Sequence, residues 1–164
     1  MNNYQIQPVE ISADIISLLS GFYCGVKLMD EIMHSQGLLS ELHTDNPMAY
    51  CVYNEQKLLV GFCIAGQISL PYETDGGYAY VDMVDIACLA VHKDFQYRGI
   101  GTAILDYICK KADIICSGAD FIHVDALDLD DGSYSAVPFY QKYGFFYCSR
   151  SGEDAARMLY ALYQ

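Results

Sequence analysis

The run Ile86-Ala87-Cys88-Leu89-Ala90-Val91 constrains this chain more than any other segment, because it offers no polar face. A strand apolar on both sides belongs in the middle of a sheet that is covered on both faces. It closes a longer strand pattern, Tyr80–Val91, and leads into a turn containing Gly99 and Gly101. From there Ile104, Leu105, Ile108, Ala112 and Ile115 recur at helical spacing up to Ser117-Gly118. A buried strand, a glycine turn and an amphipathic helix in succession point to a layered α/β domain.

The flanking segments fit the same class. Tyr4–Gln7 reads as a short strand closed by Pro8, and residues 11–20 and 25–34 read as helices punctuated by Gly21 and Gly25. In the second helix Val26, Met29, Ile32 and Met33 share one face. Strand-like runs at Ala49–Tyr53 and Leu58–Leu70 meet at Asn54-Glu55-Gln56-Lys57 as a hairpin, and Pro71–Gly77 is rich in turn residues. Further on come a strand at Phe121–Ala126, a short helix at Tyr134–Tyr143 stopped by Gly144, and strands at Phe145–Ser149 and Met158–Tyr163. The expectation is an α/β fold, one domain over residues 1–164, with a mixed central sheet flanked by helices.

Composition narrows the function. No apolar run approaches the roughly 18–20 residues needed to cross a bilayer, and Met1–Gln5 lacks the basic and apolar segments of a secretory signal. A cytoplasmic protein away from membranes is expected. Nine Lys and Arg face 21 Asp and Glu, a formal net charge of -12. Such a chain repels phosphate backbones, so nucleic acid is an unlikely partner; the balance suits a cationic substrate or plain solubility. The seven cysteines are odd in number, never spaced as CxxC, and mostly embedded in apolar runs, which argues for free thiols in a reducing compartment.

Chemistry concentrates at Leu89-Ala90-Val91-His92-Lys93-Asp94-Phe95-Gln96-Tyr97-Arg98-Gly99-Ile100-Gly101-Thr102. The first turn of the following helix carries unpaired N–H groups and the positive end of the dipole, an anion site. Gly99 and Gly101 leave the backbone bare there, and Arg98 adds a positive charge. No Gly-Lys-Ser/Thr is present, so this is not a P-loop, and Ile104 stands where the third glycine of GxGxxG would be.

Gln96-Tyr97-Arg98-Gly99-Ile100-Gly101-Thr102 resembles the Q/R-x-x-G-x-G/A signature of the GNAT N-acetyltransferase superfamily, and the Leu-Ala-Val-His-Lys-Asp-Phe run before it is typical of that family. Downstream, Ala136-Val137-Pro138-Phe139-Tyr140-Gln141-Lys142-Tyr143-Gly144-Phe145 resembles its A-x-x-F/L-Y-x-x-x-G-F element. The resemblance covers essentially the whole chain. It implies central strands that splay apart, with backbone groups of Leu89, Ala90 and Val91 pairing with the pantetheine of acetyl-CoA like an added strand. It places the pyrophosphate on N–H groups from Gln96, Tyr97, Arg98, Gly99, Ile100, Gly101 and Thr102. It also makes Tyr140 the acid that protonates the leaving thiolate. The alternative for Tyr140 is that it packs a core as one of 15 tyrosines.

The family often has Asn seven residues before this tyrosine, whereas Ser133 stands here, a residue able to cap the short helix. Asp85 and Asp125 are candidates for taking the amine proton, with water as the other route, and the base stays open. Asp128, Asp130 and Asp131 fail the EF-hand pattern, since Gly132 and Phe139 fall at ligand positions, and His34, His43, His92 and His123 lack ligand spacing. No metal is expected.

At the front, Phe22-Tyr23-Cys24-Gly25-Val26-Lys27-Leu28-Met29-Asp30 is similar to the F-x-C-G-x-x-x-L-D/N entry of GNAT toxins from toxin–antitoxin modules, with Met29 in the usual leucine place. Those toxins acetylate aminoacyl-tRNA. The reading put first is an acetyl-CoA-dependent N-acetyltransferase acting on a small or peptidyl cationic amine. Toxin-like acetylation of aminoacyl-tRNA is its alternative. A non-catalytic acetyl-CoA sensor and an assembly protein rank below both, and a homodimer is compatible with each.

Overall fold

The structure, a computed structural model, describes residues 3–35, 38 and 42–163. Its elements are β1 (Gln5–Glu10), α1 (Ala13–Leu19), α2 (Lys27–His34), β2 (Asp45–Tyr53), β3 (Leu59–Thr74), β4 (Gly77–Val91), α3 (Ile100–Ile115), β5 (Phe121–Leu127), α4 (Val137–Tyr143), β6 (Phe146–Gly152) and β7 (Ala155–Ala161). The strands form one mixed sheet in the order β1-β2-β3-β4-β5-β7-β6, with β4 and β5 parallel and their outer neighbours antiparallel. The expected mixed α/β architecture is present.

Strand alternation sends side chains to two cores. On one face Val84, Ile86, Ile122, Val124 and Ala126 pack with Ile104, Leu105 and Ile108 of α3 and with Tyr140 and Phe145. On the other, Phe62, Ile64, Cys88 and Ala90 pack with Ile15 and Leu19 of α1, Phe22, and Met33 of α2. Burying each such aliphatic side chain contributes roughly 1.5–3 kcal/mol, so β4 is clamped from both sides, as its apolar sequence requires. Gly61 makes the close approach of α3 feasible: a Cβ there would lie 2.9 Å from Ile100 Cγ2.

Three local expectations need correction. Pro8 does not close the first strand, since β1 runs through it and pairs Pro8 with Tyr50. β1 is an edge strand, where a missing N–H is tolerated. The segment 71–77 is not a turn-rich loop: β3 and β4 pair out to Thr74 and Gly77, making a long two-stranded arm with only Asp75 and Gly76 at its tip. Ile32 belongs on the exposed side of α2, at 37% exposure, while Met33 is fully buried.

Candidate functional site

The parallel ladder between β4 and β5 is short. It holds Val84 to Ile122, Asp85 to His123 and Ile86 to Val124, and then stops. Beyond it β4 still pairs with β3 as far as Val91, and β5 still pairs with β7 as far as Leu127. The two central strands therefore splay. A bulge marks the divergence, because Ala65 pairs with Ile86 but Ile64 pairs with Cys88, leaving Ala87 as the extra residue.

The ladder decides which backbone groups face the gap. His92 N–H donates to Val60 O at 2.9 Å, and with the register of Ala90 on Phe62 this puts the Ala90 amide and carbonyl in the β3 ladder. Leu89 and Val91 direct theirs to the other side, into the splay. Val91 O accepts from Gln96 Nε2 at 3.1 Å, so the groups left bare are Leu89 N–H, Leu89 C=O and Val91 N–H.

The connection into α3 is held rigidly from below. Gln96 Nε2 also donates to Cys24 O at 2.6 Å, and Lys93 N–H donates to Tyr23 O at 2.8 Å. The Gln96 side chain thus anchors the loop to the Phe22–Gly25 segment. That segment has its own staple: the Asp30 carboxylate accepts from Cys24 N–H at 2.7 Å and Gly25 N–H at 3.1 Å. Gly25 sits at φ +87°, a left-handed turn that suits glycine. The Cys-Gly and Asp of the front motif are therefore one capping device. The sequence signal was present in that motif, but its mechanical link to the 93–99 loop was not.

Tyr97 and Gly99 both take left-handed conformations, at φ 60° and 81°. They point the chain so that α3 starts with no side-chain cap, and Ala103 N–H is the first to find a partner, Gly99 O, at 2.9 Å. The amides of Ile100, Gly101 and Thr102 are left bare in the first turn. The Tyr97 ring is fully exposed, and the Arg98 guanidinium stacks over Phe95 at 5.2 Å. The two glycines have different tasks. A Cβ on Gly99 would meet nothing within 4 Å, whereas one on Gly101 would stand 2.9 Å from Phe139 Cζ. Gly101 is small so that α4 can pack on α3.

That contact brings α4 to the splay. Tyr140 is buried at 4% exposure, wedged edge-on between Phe139 and Phe145 at ring distances of 5.0 and 5.2 Å. Burial, then the ionisable groups of Cys63, Cys88 and Tyr134, hold its phenol well above the ordinary tyrosine range. The phenol stays protonated throughout the physiological range. Ser133 does not cap α4. Its N–H donates to Asp131 at 2.9 Å, and Ser135 Oγ receives the Val137 N–H at 3.2 Å instead.

On the opposite sheet face lies a buried polar cluster. Asp85, at 5% exposure, accepts from Thr44 Oγ1 and faces His123 Nδ1 at 2.7 Å. His123 is 1% exposed, and its Nε2 stands 3.3 Å from Asp125 Oδ1. Arg157 Nε approaches the same oxygen at 3.6 Å. Burial works to lower the His123 pKa, but the polar contacts with Asp125 and Asp85 and the charges of both win, raising it to about 9. The imidazole is charged at neutral pH. Asp85 is thus committed inside the fold, whereas the side chain of Asp125 is 41% exposed. Asp128, another acidic side chain in this region, is paired with Arg150. Among the described residues no group of His, Cys, Asp or Glu is arranged to hold a metal ion, and no helix is long and apolar enough to cross a membrane. A groove of about 590 Å³ runs along α2 beside Tyr23, Lys27, Glu31 and His34, and it includes none of the residues at the splay.

A splayed parallel pair with a bare helix N-terminus at its mouth is the arrangement that the sequence resemblance implies. The family model described as "Acetyltransferase (GNAT) domain" matches residues 46–146. The chain belongs to the GNAT acetyltransferase family. No curated protein matches the sequence. Among solved structures it is similar to a bacterial toxin, with 18% identity over 99% of this chain and 92% of that one at a TM-score of 0.70. It is likewise similar to AtaTR bound with AcCoA, with 17% identity, 97% and 94% coverage and a TM-score of 0.72. A third is AtaT complexed with acetyl-methionyl-tRNAfMet, with 16% identity, 97% and 95% coverage and a TM-score of 0.66. At these identities the likeness shows the fold, including the front segment carrying Cys24, Gly25 and Asp30. The expectation that nucleic acid is no partner finds no support among these proteins.

Proposed function

We propose that this protein transfers the acetyl group of acetyl-CoA directly to a primary amine. The observation that carries the reading is the ladder break after Ile86 and Val124, set beside the bare first turn of α3. Leu89 and Val91 offer the pantetheine the hydrogen bonds of a missing strand. The amides of Ile100, Gly101 and Thr102, with Arg98 alongside, receive the pyrophosphate. The thioester carbonyl then lies in the gap, where the amine lone pair attacks its carbon. The C–S bond breaks as the intermediate collapses, Tyr140 gives its proton to the departing sulfur, and the proton shed by the amine nitrogen passes through water and restores the phenol. Most of the rate gain comes from positioning the two reactants.

For the acceptor, charge favours a small or peptidyl cationic amine and a cytoplasmic setting. Of nine Lys and Arg, Lys27, Arg150 and Arg157 already face carboxylates, and the 21 Asp and Glu repel a phosphate backbone. One observation favours aminoacyl-tRNA as a second reading: similar structures aligned over nearly the whole chain are toxins, one of them held with acetyl-methionyl-tRNAfMet. Mass spectrometry of acetylated products decides between them, with acetyl-CoA offered against an amine and peptide panel and against charged tRNA at physiological salt. Acetylation of charged tRNA alone would overturn the first reading. Acetylation of neither would overturn both.

A further inference from the structure

We propose that Asp125 is the anchor for the acceptor's amino group, and that His123 and Arg157 hold it in place for that task. The inference rests on the acetyl-transfer reading and deepens it.

Topology places Asp125 at the required point. It is the first residue of β5 beyond the last parallel pair, Ile86 with Val124, so it stands where the gap opens. Its neighbours Val124 and Ala126 point into the core that contains α3 and Tyr140. Strand alternation therefore aims Asp125 from the opposite face. A thioester lying in the gap has the thiolate's proton donor on one face and this carboxylate on the other. Direct attack calls for that division, since the incoming nitrogen and the departing sulfur occupy different sides of the intermediate.

The surroundings fit an anchor and not a base. His123 is almost completely buried, and its Nε2 lacks a well-formed hydrogen bond while standing 3.3 Å from Asp125 Oδ1. Arg157 Nε is likewise buried without a partner of good geometry, 3.6 Å from that oxygen. Two buried donors thus converge on Oδ1 without well-formed hydrogen bonds of their own. Burial raises the Asp125 pKa, but His123, Ser151 and Arg157 outweigh it and lower it below the ordinary value. A carboxylate held below its ordinary range takes protons poorly, yet it remains an acceptor for N–H groups. It receives an N–H of a cationic primary amine, and water removes the proton.

Every group facing His123 enters the pH behaviour: Asp85 from β4 with Thr44 behind it, Asp125 on β5, and Arg157 on β7, with Ser151 on β6 beside Asp125. Deprotonating or deleting His123 weakens the field that keeps Asp125 acidic.

Glycinamide serves as the probe amine, with steady-state acetyl transfer and a separate acetyl-CoA titration as readouts. Asp125→Asn is expected to raise the glycinamide KM by roughly 10- to 100-fold, the worth of a charge-assisted hydrogen bond, with unchanged acetyl-CoA affinity. Asp125→Glu recovers part of the loss. His123→Gln shifts the acidic limb of kcat/KM upward, because Asp125 loses its cationic neighbour. An Asp125→Asn enzyme with a wild-type KM overturns the proposal, as does a folded His123→Gln enzyme with an unmoved pH profile. Should His123→Gln fail to fold, Arg157→Gln supplies the same pH comparison. A wild-type protein that binds no acetyl-CoA refutes the underlying reading instead, and the two failures are told apart by that titration.

Discussion

Replacing Tyr140 by Phe deletes one oxygen and leaves the ring where it is. The edge-on contacts with Phe139 and Phe145 involve the ring alone. Losing it should therefore change folding stability by less than about 1 kcal/mol. Acetyl-CoA affinity should stay near wild type, since Leu89, Val91 and the first turn of α3 are untouched. The chemical step is different. If the phenol protonates the thiolate, its loss slows transfer by roughly 10²–10⁴-fold, about 3–5 kcal/mol of barrier. Burial also keeps the phenol protonated well above the ordinary range, so no loss of rate between pH 7 and 9 should trace to its ionisation. The assay is single-turnover transfer with an acetyl-CoA titration and a urea melt on the same preparation. A folded variant that binds acetyl-CoA and transfers at the wild-type rate would refute the assignment and leave Tyr140 as packing.

Arg98→Glu should weaken acetyl-CoA binding about tenfold or more while leaving the melting curve nearly unchanged, because the side chain is exposed and only stacks on Phe95; equal affinity by calorimetry would remove Arg98 from the phosphate site. Asp30→Asn removes the charge and one of the two oxygens that hold Cys24 and Gly25. It should cost roughly 1–3 kcal/mol in urea unfolding and also weaken acetyl-CoA binding through Cys24 O and Gln96; stability lost with affinity intact would show that the front segment does not support the loop. His123 has a folded pKa raised to about 9 from 6.5, so its stabilisation is complete below about pH 6.5 and disappears as pH rises through 9. The difference is on the order of 3 kcal/mol, and coincident urea midpoints for wild type and His123→Gln across that window, after allowing for a constant offset, would contradict it.

The sequence was most informative where periodicity alone decides the outcome. Ile86–Val91 had to be a central strand, and Ile104, Leu105 and Ile108 had to face it, because nothing else could bury so many adjacent apolar groups. Gln96–Gly101 and Phe139–Gly144 could be read as motifs, but the tasks within them could not. Gly101 looked like space for an anion and is space for Phe139; Gln96 looked like a ligand contact and anchors Cys24 and Val91. Such assignments depend on which residues meet across the fold. The same holds for Asp85 and His123, which lie on different strands and become partners only through register. A bulge at Ala87 adds one residue without a compositional mark, and the β3–β4 arm hid behind Pro71 and Gly77 because turn-forming residues are tolerated near the end of a two-stranded ribbon.

Amide hydrogen exchange resolved to single residues, with and without saturating acetyl-CoA, tests the central claim most directly. New protection is expected at Leu89 and Val91 in the splay and at Ile100, Gly101 and Thr102 in the first turn of α3. Ala90, already paired with Phe62, should change little. Protection confined to the groove along α2, or no change at saturation, would show that acetyl-CoA does not occupy the splay.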